Sequence, residues 1–154
     1  MLAVVRVRGS IGISPATRKT FELLKLKRAN NCVLLQETTE ARKMADKVKD
    51  YIAFGTINEA TLARLLEKRG RKAGDRRVAL DDLKKIGLNS FNELAKSLAE
   101  GKLKINEMNL IKTVFRLKPP SKGFERKGIK KDFAIGGALG FRGEAINELL
   151  QRMI

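Results

Sequence analysis

Histidine and tryptophan are absent from this 154-residue chain, cysteine and tyrosine each occur once, and proline occurs three times. With no imidazole and a single thiol, a Cys/His zinc site, an internal disulfide framework and imidazole-dependent catalysis are all excluded. Cys32 is read as a small hydrophobe buried in a strand. Long hydrophobic runs are missing too. The first one, Leu2 to Val5, is interrupted by Arg6 and is far too short for a signal peptide or a membrane span. The expected location is cytoplasmic, with no membrane partner. Aromatic residues make up only 5% of the chain while apolar residues reach 43%, so aliphatic side chains at helix and strand spacing must build the core.

Acidic residues are the other scarcity. Seventeen Asp and Glu face 33 Lys and Arg, a net charge of +16, far beyond what solubility requires and indicative of a polyanionic partner. The excess is concentrated in three islands: residues 1–36 carry +6, residues 68–77 carry +5 and residues 110–131 carry +7, while the remaining stretches lie between −1 and zero. A membrane surface would call for an amphipathic helix with a basic stripe opposite bulky apolar residues, and no segment has that form, so nucleic acid is preferred. The bases sit mostly in turns and caps. Loop-borne Arg and Lys can follow an irregular phosphate backbone, with the Arg fork taking two phosphate oxygens, which suits folded RNA.

The candidate RNA contacts are therefore Arg8, Arg18, Lys19, Lys25, Lys27 and Arg28 in the first island, and Arg69, Arg71 and Lys72 in the second. The third supplies Arg116, Lys118, Lys122, Arg126 and Lys127, and Arg142 follows in a later glycine-rich segment. Ser10, Thr20, Asn30 and Asn31 lie beside bases and offer hydrogen bonds to phosphate or the ribose 2′-hydroxyl; for Ser10, Asn30 and Asn31 plain turn chemistry is the competing explanation.

The pattern of elements gives the fold class. Residues 2–8 read as a strand; Ser14 and Pro15 open a helix ending near Lys25 to Lys27; residues 32–36 form a second strand. Thr38 or Thr39 caps a helix with Ala41, Met44, Ala45 and Val48 on one stripe, and residues 51–54 make a third strand. The expectation is an α+β fold with a small three-stranded sheet, a ferredoxin-like β-α-β-α-β core over residues 1–57 with its helices on one face. A helical and extended C-terminal extension, residues 58–154, follows. In it Asn58 caps a helix through Leu66, residues 68–77 form a basic loop, residues 81–86 a short helix, and Ser90-x-x-Glu93 a capping box. Residues 111–117 read as a strand, and residues 118–131 as a stretch of little regular structure with few apolar anchors, expected to be mobile until bound. A last helix runs through Ala145, Ile146, Leu149, Leu150 and Met153.

Motifs for catalysis do not accumulate. The segment GGALGFRG at 136–143 precedes a helix, but it lacks the Lys-Ser/Thr of a P-loop and the GxGxxG order, so it reads as a turn permitting close backbone approach. Asp81 and Asp82 fall at a helix start, where carboxylates complement the dipole. No Ser or Lys has an activating partner in sequence, and neither a cofactor nor a small-molecule substrate is indicated.

The opening VRVRGSIGISPATRKTFELLKLKRANNCVLL resembles the N-terminal core of universal large-subunit ribosomal protein thirty: a strand, RGS-I-G, a helix, and a basic loop before the next strand. Bacterial members resemble only about the first third of the chain. KRGR at 68–71, LDDLKKIGLNSFNELAKSLAEGK at 80–102, FRLKPPSKGF at 115–124 and GGALGFRGEAINELLQRM at 136–153 resemble the longer archaeal and eukaryotic forms, and the compact length resembles an archaeal member. Contacts made by the long basic N-terminal arm of eukaryotic members are not expected here. The resemblance implies a structural protein, not an enzyme, that clamps folded large-subunit rRNA beside neighbouring large-subunit ribosomal proteins. By position it implies that Arg8, Ser10, Arg18, Lys19, Thr20, Lys27, Arg28 and Asn30 face RNA. A free RNA chaperone or processing accessory protein is the alternative, followed by an RNA-modifying enzyme.

Overall fold

The computed structural model describes residues 1–84, 87–103, 105 and 110–154. Strand β1 (Leu2–Arg6) is central; β2 (Asn31–Leu35) pairs with it antiparallel on one side and β3 (Ile52–Thr56) antiparallel on the other. Helices α1 (Pro15–Leu23) and α2 (Thr39–Lys47) connect these strands. Their starts are set by local chemistry: the Ser14 and Thr38 hydroxyls accept from the N–H groups of Thr17 and Ala41, each at 3.2 Å. The expected β-α-β-α-β core is present and the fold class is α+β.

The sheet is larger than the three strands expected. The extension adds β4 (Val114–Arg116) antiparallel to β2, and β5 (Gly140–Phe141) parallel to β3, giving the order β4-β2-β1-β3-β5. The extension also supplies helices α3 (Glu59–Arg69), α4 (Leu80–Lys84), α5 (Phe91–Ala99) and α6 (Ile146–Met153). The expected short helix continued to residue 86, and residues 85 and 86 lie outside the described residues.

The period of two along β1 sorts its side chains between two cores. Leu2 and Val4 join Phe21, Leu24 and Leu26 of the α1 region, Ala45 and Val48 of the α2 region, and Ile52 and Phe54 of β3. Ala3, Val5 and Val7 face the other way, into a cluster with Cys32, Leu62, Leu66, Leu94, Leu98, Phe115, Ile146 and Leu150. So α1 and α2 do share one face, as expected, and the extension covers the other. Residues before and after position 57 contribute to one continuous hydrophobic cluster. Cys32 is fully buried, and burial pushes its thiol up to about 12. Among the described residues no helix is long and apolar enough to cross a membrane.

Candidate nucleic-acid interface

The antiparallel register puts the end of β1, the start of β2, the start of β3 and the end of β4 along one rim of the sheet. That rim holds most of the first island and part of the third. Its foundation is Arg6, which reasoning from charge counts did not single out. Arg6 is the one charged residue inside the apolar run of β1 and is only 2% exposed. Its guanidinium lies 4.1 Å from the centroid of the Phe21 ring and donates to the carbonyls of Arg8, Gly9, Leu26 and Lys27 and to the Ser10 hydroxyl, at 2.7–3.0 Å. Burial lowers its pKa and the charge of Tyr51 raises it in return. One buried cation thus fixes both basic loops of the first island, residues 8–10 and 26–28.

The expected basic loop begins later than residue 68: Lys68 and Arg69 are the last residues of α3, and the rest of the second island is a tight hairpin. Arg71 bridges Arg77 antiparallel, with Gly74 and Asp75 at positive φ in the turn. It is tied to the third island by the Lys112 N–H, which donates to the Arg71 carbonyl at 2.6 Å. The third island is tied to the first by the Asn31–Arg116 pair of the β2–β4 ladder, by the Leu117 N–H donating to Asn30 at 2.9 Å, and by Lys25 Nζ at 3.4 Å from Thr113 Oγ1.

All three islands therefore meet at one open groove of about 450 Å³ along the β4 edge, walled by Lys25, Lys27, Arg28, Arg71, Lys112 and Arg116. Among the described residues six cations face a single carboxylate there, Asp75, which sits 2.9 Å from Lys112 and 3.4 Å from Arg116. The hydrogen bond from Lys112, with the charges of Lys112, Arg116 and Arg71, holds the Asp75 carboxyl below the usual range. A groove with this charge ratio attracts a chain of phosphates, and its Arg and Lys ends supply the hydrogen bonds such a chain accepts.

The other expected contacts divide by surroundings. Ser10, Arg18 and Lys27 line a second, smaller pocket beside α1, and Lys19 is exposed on α1. Arg8 stacks on Tyr51, 4.8 Å from its centroid, and donates to the Asp50 carbonyl. Asn30 adopts φ +61°, a left-handed turn conformation that Asn tolerates. Lys118, Lys122, Arg126 and Lys127 are exposed and do not line the groove.

Four expected contacts are engaged internally. Thr20 is buried and its hydroxyl donates to the Ala16 carbonyl; Arg69 donates to the main-chain oxygen of Ile154; Lys72 pairs with Asp82 at 2.7 Å. Arg142 is 5% exposed and forks onto Glu125 at 2.6 and 2.7 Å, against the face of Phe133. Arg152 reaches Glu125 as well, at 3.1 Å. Residues 118–131, expected to have few apolar anchors, are held largely by these ionic contacts. The stretch has no helix or strand, but Glu125 pins it to Arg142, the residue after β5, and to α6, Phe124 packs on the core, and Pro120 is buried. The glycine-rich segment serves close approach inside the molecule: a Cβ on Gly137 would lie 2.1 Å from the Lys131 carbonyl oxygen.

Sequence reasoning passed over Arg6, Lys112 and Asp75 as site residues. Arg6 was legible as a charge embedded in an alternating apolar strand, and Asp75 as the one acid in the second island; nothing local marks Lys112.

The model of the ribosomal protein L30p/L7e family matches residues 2–52. Over its whole length the chain is 47% identical to the large ribosomal subunit protein uL30 of Nanoarchaeum equitans, covering 99% of that protein. The chain belongs to the L30p/L7e family of ribosomal proteins. Other L30p/L7e relatives agree: uL30 of Methanococcus maripaludis is 45% identical over 152 residues, covering 99% of this chain and 98% of the relative. That of Thermoplasma volcanium is 44% identical over 155 residues, covering 100% and 93%. This is a family of ribosomal proteins and not an enzyme family. The family model stops within the first residue of β3, whereas the full-length relatives extend through the extension that completes the groove.

Proposed function

We propose that this protein is a structural constituent of the large ribosomal subunit that binds and clamps folded large-subunit rRNA, with no reaction catalysed. The observation that carries this reading is the groove in which Lys25, Lys27 and Arg28, then Arg71, then Lys112 and Arg116 converge from three separate parts of the chain. Cations on loops that are already pinned to the sheet by hydrogen bonds bind a phosphate backbone at a smaller cost in conformational entropy than cations on a free loop. Because the three islands are tied together by main-chain hydrogen bonds, RNA bound across them has its segments held at fixed separation. The names of the full-length relatives support the large subunit as the setting, beside neighbouring ribosomal proteins in the cytoplasm.

Three measurements test this. In density-gradient fractionation the protein should travel with intact large subunits and stay there after a high-salt wash; release at moderate salt would favour a free RNA chaperone or accessory protein. With rRNA transcripts, log affinity should fall steeply against log salt, by about 0.7–0.9 per phosphate neutralised. Arg28→Ala with Arg116→Ala should weaken binding more than Lys122→Ala with Lys127→Ala, each groove arginine contributing about 1.5–3 kcal/mol as a charge-assisted hydrogen bond. Equal losses in the two double variants would remove the groove as the principal anchor.

A further inference from the structure

Ile11 is 100% exposed, the most exposed large hydrophobic residue described. It stands at the tip of a turn over residues 9–13 in which Gly12 takes φ +70°. Its neighbour two residues on, Ile13, is half-buried against the α1 core. The turn therefore sends one isoleucine inward as an anchor and holds the other out in water. The base of the turn is fixed by Arg6, which donates to the Gly9 carbonyl at 3.0 Å and to the Ser10 hydroxyl at 2.9 Å. A β-branched residue is an unfavoured choice for a solvated turn tip, where Gly, Asn, Asp and Ser prevail.

Beneath this turn lies the second pocket, about 320 Å³, lined by Arg6, Ser10, Ile13, Arg18, Phe21, Glu22 and Lys27. Its apolar lining is Ile13 and the edge of Phe21, whose ring lies under the Arg6 guanidinium, and its exposed charged groups are the cations Arg18 and Lys27 and one carboxylate, Glu22. Apolar surface, a hydroxyl and flanking cations in one small concavity match the parts of a single nucleotide: a flat base, a ribose with hydroxyl groups, and a phosphate. A protein partner would meet the same isoleucine, but the surrounding charges favour the polyanion.

We propose that the 9–13 turn and the pocket beneath it capture one unstacked nucleotide of the bound RNA, with Ile11 packed against its base or ribose and Arg18 and Lys27 flanking its phosphate. This rests on the rRNA-binding reading and adds a contact that phosphate neutralisation does not provide. Apolar side chains that wedge against unstacked bases are an established device of nucleic-acid binding.

The contact is separable from charge by its salt dependence. With large-subunit rRNA transcripts as the probe, Ile11→Ala should weaken binding by about tenfold, the apolar area lost, while leaving the slope of log affinity against log salt unchanged. Arg18→Ala should weaken binding and make that slope shallower. A photoreactive diazirine side chain at position 11 should cross-link to rRNA in assembled subunits. Unchanged affinity for Ile11→Ala beside a salt-sensitive wild type would overturn the nucleotide site and leave the groove intact. Cross-links from position 11 to a neighbouring protein would overturn it in favour of a protein contact. Absence of salt-sensitive binding by the wild type would instead overturn the rRNA reading itself. Since Ile11 is fully exposed, equal thermal midpoints for variant and wild type are expected and exclude misfolding as the cause.

Discussion

Arg6 and Arg8, two residues apart on the same chain segment, are put to different ends: one supports loops from beneath, the other lies over Tyr51 at the rim. Arg142 repeats the first use. Its pairing with Glu125 links a titratable group to the packing of the extension. Burial alone raises the Glu125 pKa, but the hydrogen bonds from Arg142, a main-chain hydrogen bond and the charges of Arg142 and Arg152 outweigh it, leaving the carboxyl below its ordinary 4.5. A carboxyl whose pKa is lower folded than unfolded contributes stability that is complete above 4.5 and is lost as pH falls through the folded value. Acid unfolding should therefore be sensitised at this site. Glu125→Gln should cost about 3 kcal/mol at neutral pH, near the low end for orphaning a buried charge because Glu125 keeps some solvent contact. Urea titrations of both proteins at pH 7 and pH 3 check this: the gap between them should narrow at the lower pH, and a constant gap would contradict it.

Among the elements, helices with chemical punctuation were the most legible. Ser14, Thr38, Asn58 and Ser90 each cap the helix read from them, because a cap is a contact between residues three apart and needs no knowledge of the fold. In the capping box the reciprocal bond is displaced by one residue, Glu93 accepting from the Asn89 N–H rather than from Ser90. Strands β4 and β5 were less legible. Three and two residues long, they exist only because distant partners pair with them, so residues 111–117 gave a strand longer than the Val114–Arg116 that forms, and Gly140–Phe141 gave none. Glycine roles also depend on distant contacts. A Cβ on Gly55 would lie 2.1 Å from the Gly143 carbonyl oxygen, so β3 packs directly on the turn that leads into α6. Gly55→Ala should force them apart and destabilise the fold by about 1–3 kcal/mol, as overpacking does, with a lower thermal midpoint as the readout. A midpoint equal to wild type would show that the turn yields freely.

At the scale of the whole molecule, the charge islands announced the kind of partner but not where they would meet, since their convergence depends on the β2–β4 pairing and on the Lys112 to Arg71 hydrogen bond. The same pairing has a second consequence, for self-association. A three-stranded β2-β1-β3 sheet standing alone would present two strand edges with unpaired N–H and C=O groups, an invitation to another copy. Here β4 takes up one edge over Asn31–Val33 and β5 the other over Ala53 and Phe54, and the new outer strands are too short to template anything. Residues 1–57 expressed alone should lose this protection and also bare Ala3, Val5, Val7 and Cys32. Sedimentation velocity should show concentration-dependent association of that fragment, and a folded monodisperse monomer would contradict it. In the full chain, two strands totalling five residues close both edges of the three-stranded sheet, so the same short pairing that gathers the basic groups also takes up the backbone donors and acceptors that another copy would need.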